Sequence, residues 1–285
     1  MIIWLASYPK SGNTWLRFFL ISLFFSGKKV NLNHLKHIIS FPSKSHFSNL
    51  VDDLLDIKKI SKHWETSQNI INKEKKIKIF KTHNMLCRFG NNYFTNIKNT
   101  MGAVHIVRDP RNVITSIKNH YNLDSLNIAK QFLFNEKNII TMSEKQKEKY
   151  ITQNEYPLPT VLGSWKTHYL SWKNMKKNYL LVKYENLLND TFNEFSKIAN
   201  YLKISFGYNF KKSEIENAIK NCDFQTLKDY ENKHGFIEAA KDTNGNIKKF
   251  FFLGPKNNWK EILDKKIINN IETSFKNEML ELNYL

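Results

Sequence analysis

The sequence predicts an α/β fold in one domain, residues 1–285, with a central parallel β-sheet flanked by helices. Three observations carry the prediction. Short apolar runs recur at 1–7, 77–82, 102–107 and 179–182; stretches of helical length and pattern separate them; and no Gly/Pro/Ser-rich linker or fixed-period repeat divides the chain. Strands joined through helices must return over the sheet, which makes neighbouring strands parallel.

The elements follow in order. MIIWLAS (1–7) is an uninterrupted apolar run ending at Tyr8-Pro9, the pattern of a buried strand. A polar loop over 10–14 leads into residues 15–25, apolar apart from Arg17 and Ser22. That stretch is about half the length of a spanning helix and reads as a buried one. The motif that starts at Tyr8 leaves no room for a preceding anchor, and no cleavage signature follows, so a soluble cytoplasmic protein is expected. IKIFKT (77–82) and GAVHIV (102–107) are the next strands, and residues 112–121 follow the latter as a helix. Residues 163–175 read as a helix with Trp165, His168, Tyr169 and Trp172 on one face, YLLV (179–182) as the fourth strand, and 186–204 and 257–280 as further helices. The pattern weakens over 122–160, where SEKQKEKY (143–150) suits a solvated helix or mobile loop. This region is the expected lid or substrate loop.

Composition narrows the function. The formal charge is +18, yet 40 of the 44 basic residues are lysines, and 36 asparagines accompany them. This is drift spread over the surface, unlike the Arg/Lys stripe of a nucleic-acid binder, and it implies only a preference for anionic ligands. Cys87 and Cys222 are distant and have no Cys-His cluster around them, which fits a reducing compartment. No carboxylate cluster or His-Cys set has metal-ligand spacing, so no metal is expected.

Two segments carry chemistry. Tyr8-Pro9-Lys10-Ser11-Gly12-Asn13-Thr14-Trp15 lies between a strand and a helix, where main-chain N–H groups and the positive end of the helix dipole converge on an anion. Gly12 permits a close turn, Lys10 adds a point charge, and the Ser11 and Thr14 hydroxyls add neutral donors. Pro9 and Gly12 alone would suit a plain connection; Lys, Ser and Thr together at the helix mouth favour phosphate. The Walker A spacing is absent, because the lysine precedes the glycine. The second segment, HIVRDPRN (105–112), runs off a strand into a helix that carries Ser116, and it holds two of the four arginines. Arg108 and Arg111 offer the planar fork that suits phosphate, although Arg111 has a structural carboxylate as its alternative partner.

YPKSGNTW and VRDPRNVITS resemble the 5′-phosphosulfate and 3′-phosphate motifs of sulfotransferases that use 3′-phosphoadenosine-5′-phosphosulfate (PAPS). Further pieces stand in that family's order: Lys81-Thr82-His83, GSWKTHYLSW from Gly163, LVKYENLL from Leu181, Cys222-Asp223-Phe224 with Leu227-Lys228, and FFLGPKNNWK from Phe251. The resemblance spans nearly the whole chain. It implies the sulfotransferase fold, related to nucleotide kinases and P-loop proteins, and transfer of a sulfuryl group from PAPS to an acceptor hydroxyl or amine with adenosine-3′,5′-bisphosphate as product. It further implies that Lys10 holds the bridging oxygen, that Ser11, Gly12, Asn13 and Thr14 surround the 5′-phosphate, and that Trp15 lies against the adenine. Arg108 and Ser116 would hold the 3′-phosphate; Tyr184, Cys222, Phe224 and Lys228 correspond to nucleoside-side positions. His83 would be the general base, since neutral imidazole is well poised to take a hydroxyl proton near pH 7, with Lys81 stabilising charge on the sulfuryl oxygens. The remaining histidines have no comparable context.

The chain departs from the pattern near its C-terminus. Where the family has Arg-Lys-Gly before Gly-Asp-Trp-Lys, this chain has Phe252-Leu253-Gly254 and then Asn257-Asn258-Trp259-Lys260. Two cations are missing; Gly254 still permits close approach, and Lys256, with Lys248 and Lys249 behind it, is the candidate replacement. Acceptor choice is expected from 31–47, 84–96, 122–159 and the segment before Phe250, with a small molecule, glycan or lipid headgroup all open and no oligomeric state implied. A kinase-like phosphotransferase and a catalytically silent protein of the same fold are the alternatives.

Overall fold

The computed structural model describes residues 1–25, 31–121, 123–141, 156–236, 238–239 and 246–285. Residue 122 and residues 142–155, and with them the charged 143–150 stretch and much of the expected lid, lie outside the described residues. The chain folds as an α/β protein with a central parallel sheet flanked by helices. In order, the elements are β1 (Ile2–Ser7), α1 (Asn13–Phe24), the short helices α2 (Lys44–Phe47), α3 (Ile57–Lys62) and α4 (Trp64–Asn72), β2 (Lys78–Thr82), the hairpin β3 (Arg88–Phe89) and β4 (Asn92–Tyr93), and β5 (Thr100–Val107). Then come α5 (Pro110–His120), α6 (Leu126–Phe134), β6 (Ile139–Ile140), β7 (Thr160–Val161) and β8 (Tyr179–Lys183). The sheet order is β2-β1-β5-β8. Interior β1 runs parallel to β2, with Ile3 opposite Ile79, and parallel to β5, with Ser7 opposite Ile106; all six of its residues are buried, as its unbroken apolar run requires.

The chain forms two compact units. The first comprises Met1–Tyr8, Ile38–Ile106 and Asn135–Leu181. Its core is built on Trp4, whose ring lies 5.2–6.3 Å from those of Phe41, Phe80 and Phe94 and whose Nε1 donates to Thr100 Oγ1 at 2.9 Å, so the indole is buried without stranding its N–H. The Trp165–Lys173 helix opens with a reciprocal cap: Ser164 Oγ accepts from Thr167 N–H, and Thr167 Oγ1 accepts from Ser164 N–H. It buries the face expected of it, Trp165, His168, Tyr169 and Trp172. His168 packs against Tyr8 and against His105, whose Nδ1 pairs with the Tyr179 hydroxyl at 2.9 Å. Burial pulls both imidazoles down, His105 well below its usual range and His168 to about 3.

The second unit comprises Pro9–His37, Val107–Phe134 and Val182–Leu285. Helix α1 is buried almost throughout, and Phe19 stacks on Phe195 at 4.0 Å. The helix expected over 186–204 is two, Tyr184–Asn189 and Thr191–Phe206, because Asp190 leaves helical geometry at φ −142°. The one expected over 257–280 is three, Trp259–Ile262, Lys265–Ser274 and Lys276–Glu281, with Asp264 capping the second by accepting from Ile267 N–H. Ile267, Ile271, Phe275 and Met279 are all buried, so a four-residue apolar spacing continues across the break at Phe275 and hides it from the sequence.

Arg111 ties the C-terminal helices to α5. Its Nε and Nη2 donate to the two carboxylate oxygens of Asp109 at 3.0 and 2.7 Å, while further N–H groups reach Glu272 and the Tyr284 carbonyl. Trp259 lies under the guanidinium at 3.9 Å. Of the two partners open to Arg111, the structure shows the carboxylate. Asp109 also caps α5, accepting from Arg111 N–H at 2.9 Å with Pro110 at the first helical position. Among the described residues no helix is long and apolar enough to cross a membrane, and no group of three or more His, Cys, Asp or Glu could hold a metal.

Two measurements test these packing arguments. A histidine held neutral inside the fold charges only on unfolding, so its contribution is complete above its unfolded value and is lost as pH falls below it. Lowering the pH from about 7.5 to about 5 should remove about 2 kcal/mol for each of His105 and His168, read by urea unfolding. His168→Phe should lose correspondingly less over that range, and an unchanged pH dependence would contradict a neutral buried His168. Arg111→Ala leaves two carboxylates without their partner and should cost about 3–5 kcal/mol by urea unfolding; a cost under about 1 kcal/mol would mean that the clamp behaves as a surface pair.

Candidate functional site

The loop between β1 and α1 is turned by two left-handed residues, Lys10 at φ 66° and Gly12 at φ 102°. Glycine adopts this conformation without penalty, whereas a lysine there is uncommon. Helix α1 starts with Gly12 at its cap position, so no side chain caps it, and its first turn has no acidic residue. Its N-terminal N–H groups and dipole therefore favour an anion. Ser11 is fully buried and its hydroxyl has no partner within the protein, a state that costs about 1–3 kcal/mol unless a ligand bonds it. Asn13 and Thr14 are buried beside it, and the Lys10 ammonium lies 3.9 Å over the ring of Phe250.

Arg108, on the segment between β5 and α5, is 6% exposed. Its Nη1 donates to the Lys10 carbonyl at 3.0 Å and lies 3.5 Å from Ser116 Oγ, and its guanidinium stacks 4.2 Å from the Tyr184 ring. In a planar trans peptide the N–H of Ser11 points away from the carbonyl that Arg108 holds, so this bond orients the loop. Trp15 meets Tyr184 and Phe195 edge-on at 5.8 and 5.5 Å. Cys222 is fully buried, which pushes its thiol up to about 12. Asp223 caps the Phe224–His234 helix, where Phe224 and the half-buried Lys228 share a face. At Gly254, φ 52°, a Cβ would stand 2.2 Å from the Phe224 ring, so the close approach that this glycine permits is that of an aromatic side chain. Lys256 is exposed on the 3-10 turn Gly254–Lys256.

The first unit holds Lys81 and His83. Lys81 lies one residue before the end of β2, its main chain paired with Ile39 and Phe41. His83 Nδ1 lies 2.7 Å from the Ser7 carbonyl and 3.2 Å from Ser7 Oγ. A carbonyl only accepts, so Nδ1 carries the proton, and Nε2 is the basic nitrogen of the neutral ring.

Several residues here escaped the sequence. Asn257 Nδ2 donates to Asn112 O at 2.8 Å and to Ser116 Oγ at 3.2 Å, and the Asn112 side chain accepts from Trp259 N–H at 3.0 Å. Glu231, 2% exposed, accepts from the N–H groups of Phe250 and Phe251 at 2.7 and 3.0 Å and thereby fixes the ring beneath Lys10. One asparagine among 36 gives no signal; the interruption of Gly-Asp-Trp by Asn257-Asn258 is the only mark that could have drawn notice.

The sulfotransferase-domain family model matches residues 2–283. Sulfotransferase 2A1 of Macaca fascicularis is 25% identical over 279 residues, covering 97% of this chain and 83% of that protein. The 3-beta-hydroxysteroid sulfotransferase of Cavia porcellus is 24% identical over 220 residues, 72% of this chain and 69% of that one. Among solved structures, retinol dehydratase in complex with androsterone and the inactive cofactor PAP superposes with a TM-score of 0.60 at 16% identity, over 98% of this chain and 80% of that one. With a family match that leaves only Met1 outside it at one end and two residues at the other, this chain belongs to the sulfotransferase family.

Proposed function

We propose that this protein is a PAPS-dependent sulfotransferase acting on a hydroxyl (or amine) of a small-molecule acceptor, with both units working as one catalytic domain. The observation that carries the reading is the hydrogen bond from His83 Nδ1 to the Ser7 carbonyl, which makes Nε2 the nitrogen able to receive the acceptor proton. The donor fits the residues present: an orphaned buried Ser11 hydroxyl, a loop turned through two left-handed residues and an uncapped helix suit a phosphate. When bound, PAPS supplies a sulfuryl group whose S–O bond to the nucleotide breaks as a new S–O bond to the acceptor forms in line. Lys10 would hold the oxygen that leaves with the nucleotide, with Ser11, Gly12, Asn13 and Thr14 on the 5′-phosphate. Trp15, Tyr184 and Phe224 would flank the nucleoside, with Cys222 and Lys228 behind them. Arg108 and Ser116 would take the 3′-phosphate, with Gly254 and Lys256 beside it. Lys81 would stabilise charge on the sulfuryl oxygens. PAP in the retinol dehydratase complex supports the nucleotide, and the hydroxysteroid named for the Cavia porcellus relative supports a hydroxyl acceptor. A sulfuryl group carries less charge to neutralise than a phosphoryl group, which supports chemistry without a metal and favours this reading over a kinase-like one.

His83→Ala should abolish transfer while leaving adenosine-3′,5′-bisphosphate affinity near that of wild type; undiminished turnover would remove His83 from the mechanism. Activity should persist in EDTA. Arg108→Ala should cost about 1.5–3 kcal/mol of bisphosphate affinity. Because Arg108 also holds the Lys10 carbonyl, 5′-AMP should weaken too, by less, and equal losses for both ligands would separate Arg108 from the 3′-phosphate. If Lys256 contacts that phosphate, Lys256→Ala flattens the salt dependence of binding, and superimposable curves would exclude the contact.

A further inference from the structure

Close in sequence to Phe252 and Leu253, which stand where the family pattern has two cations, the chain carries a buried carboxamide. Asn257 is 6% exposed, and every polar atom of its side chain is engaged: Nδ2 donates to Asn112 O at 2.8 Å and to Ser116 Oγ at 3.2 Å, and Oδ1 accepts from Thr115 Oγ1 at 2.7 Å. The orientation of the amide is forced. Turned over, Oδ1 would face the Asn112 carbonyl, and two acceptors cannot bond each other. The NH2 edge therefore faces Ser116, and Ser116 Oγ must accept from it. Arg108 Nη1, 3.5 Å from the same oxygen, is a donor as well. A hydroxyl whose oxygen is approached by two donors has only its own O–H to offer elsewhere, and an anion is the partner that such a donor suits.

We infer that Asn257 is a positioning residue for the 3′-phosphate: its carboxamide holds Ser116 Oγ as an acceptor and so presents the Ser116 proton to a phosphate oxygen. The inference rests on the proposal that Ser116 and Arg108 face that phosphate. It explains in part how the chain manages with Phe252 and Leu253 where the family pattern has two cations, because an oriented neutral donor takes up some of the lost attraction. The family pattern has glycine at position 257, which has no side chain with which to orient Ser116, so the device belongs to this chain.

The test is calorimetric titration of the full chain with adenosine-3′,5′-bisphosphate and with 5′-AMP. Asn257→Ala should weaken the bisphosphate by roughly 3–10-fold, the range of one neutral hydrogen bond, and leave 5′-AMP unchanged. In a Ser116→Ala background the same substitution should produce no further loss, because the residue acts through the hydroxyl already removed. Asn257→Asp keeps the side-chain volume and is read in its place should the alanine variant not fold; its acceptor-only carboxylate turns the Ser116 proton inward and should weaken the bisphosphate more than alanine does. Equal weakening of both nucleotides, or losses that simply add to those of Ser116→Ala, would overturn the inference and leave Asn257 a structural residue. Wild-type protein that binds both nucleotides equally would instead overturn the 3′-phosphate assignment itself, and the role of Asn257 with it.

Discussion

Parallel pairing of β1 with β5 is the constraint on which the contact between Arg108 and the β1–α1 loop depends. With Ser7 opposite Ile106 in register, the segments leaving the two strands emerge at the same end of the sheet, although Lys10 and Arg108 are far apart in sequence. A parallel pair has this property and an antiparallel pair lacks it, because only parallel strands end on the same side. Arg108 can then close on the Lys10 carbonyl, and the left-handed turn through Lys10 and Gly12 is held by a partner outside the loop. Backbone held in a sparsely populated conformation persists only where its surroundings determine it, and here a guanidinium does so.

The chain divides its cations by chemistry. Lysine dominates the composition, yet three of the four arginines are nearly inaccessible: Arg17 on Glu238 and the Leu35 carbonyl, Arg108 on the Lys10 carbonyl and the Tyr184 face, and Arg111 on Asp109, Glu272 and the Tyr284 carbonyl. A planar, weakly hydrated fork can be buried against several acceptors at once, whereas an ammonium holds its water too strongly for that. The large positive charge therefore says little about the site, and the few arginines say more. Around the proposed nucleotide positions the cations Lys10, Arg108, Lys228 and Lys256 stand among neutral groups: hydroxyls, a carboxamide, helix N–H groups and aromatic faces.

The fold was legible because its signals are local. The unbroken run of β1 announces a strand buried on both faces, and Trp165, His168, Tyr169 and Trp172 announce a helix by spacing alone. Helix breaks were not legible where burial keeps its rhythm through them, as at Phe275 between Ile271 and Met279. The donor loop could be read because its donors lie within a few residues of one another. Residues that matter through distant partners could not: Glu231 fixes Phe250 from another element, and Asn257 meets Ser116 across 141 positions. The fork of Arg111 was legible only in part: Asp109 lies two residues away, whereas Glu272 is 161 residues away.

The contact between Gly254 and Phe224 has an evolutionary reading. Any codon change that replaces this glycine introduces a Cβ 2.2 Å from the ring on a backbone held at φ 52°, so single substitutions at 254 must displace the ring and bear backbone strain that those at Phe252, which is 53% exposed, do not. A smaller residue at 224 would relieve the clash but not the left-handed backbone. The two positions, thirty residues apart, are thus coupled through the ring, and Gly254 carries a second constraint of its own in its positive φ. Charged residues around this glycine can then turn over while the small residue stays, held in place by the ring of Phe224 and by its own left-handed backbone.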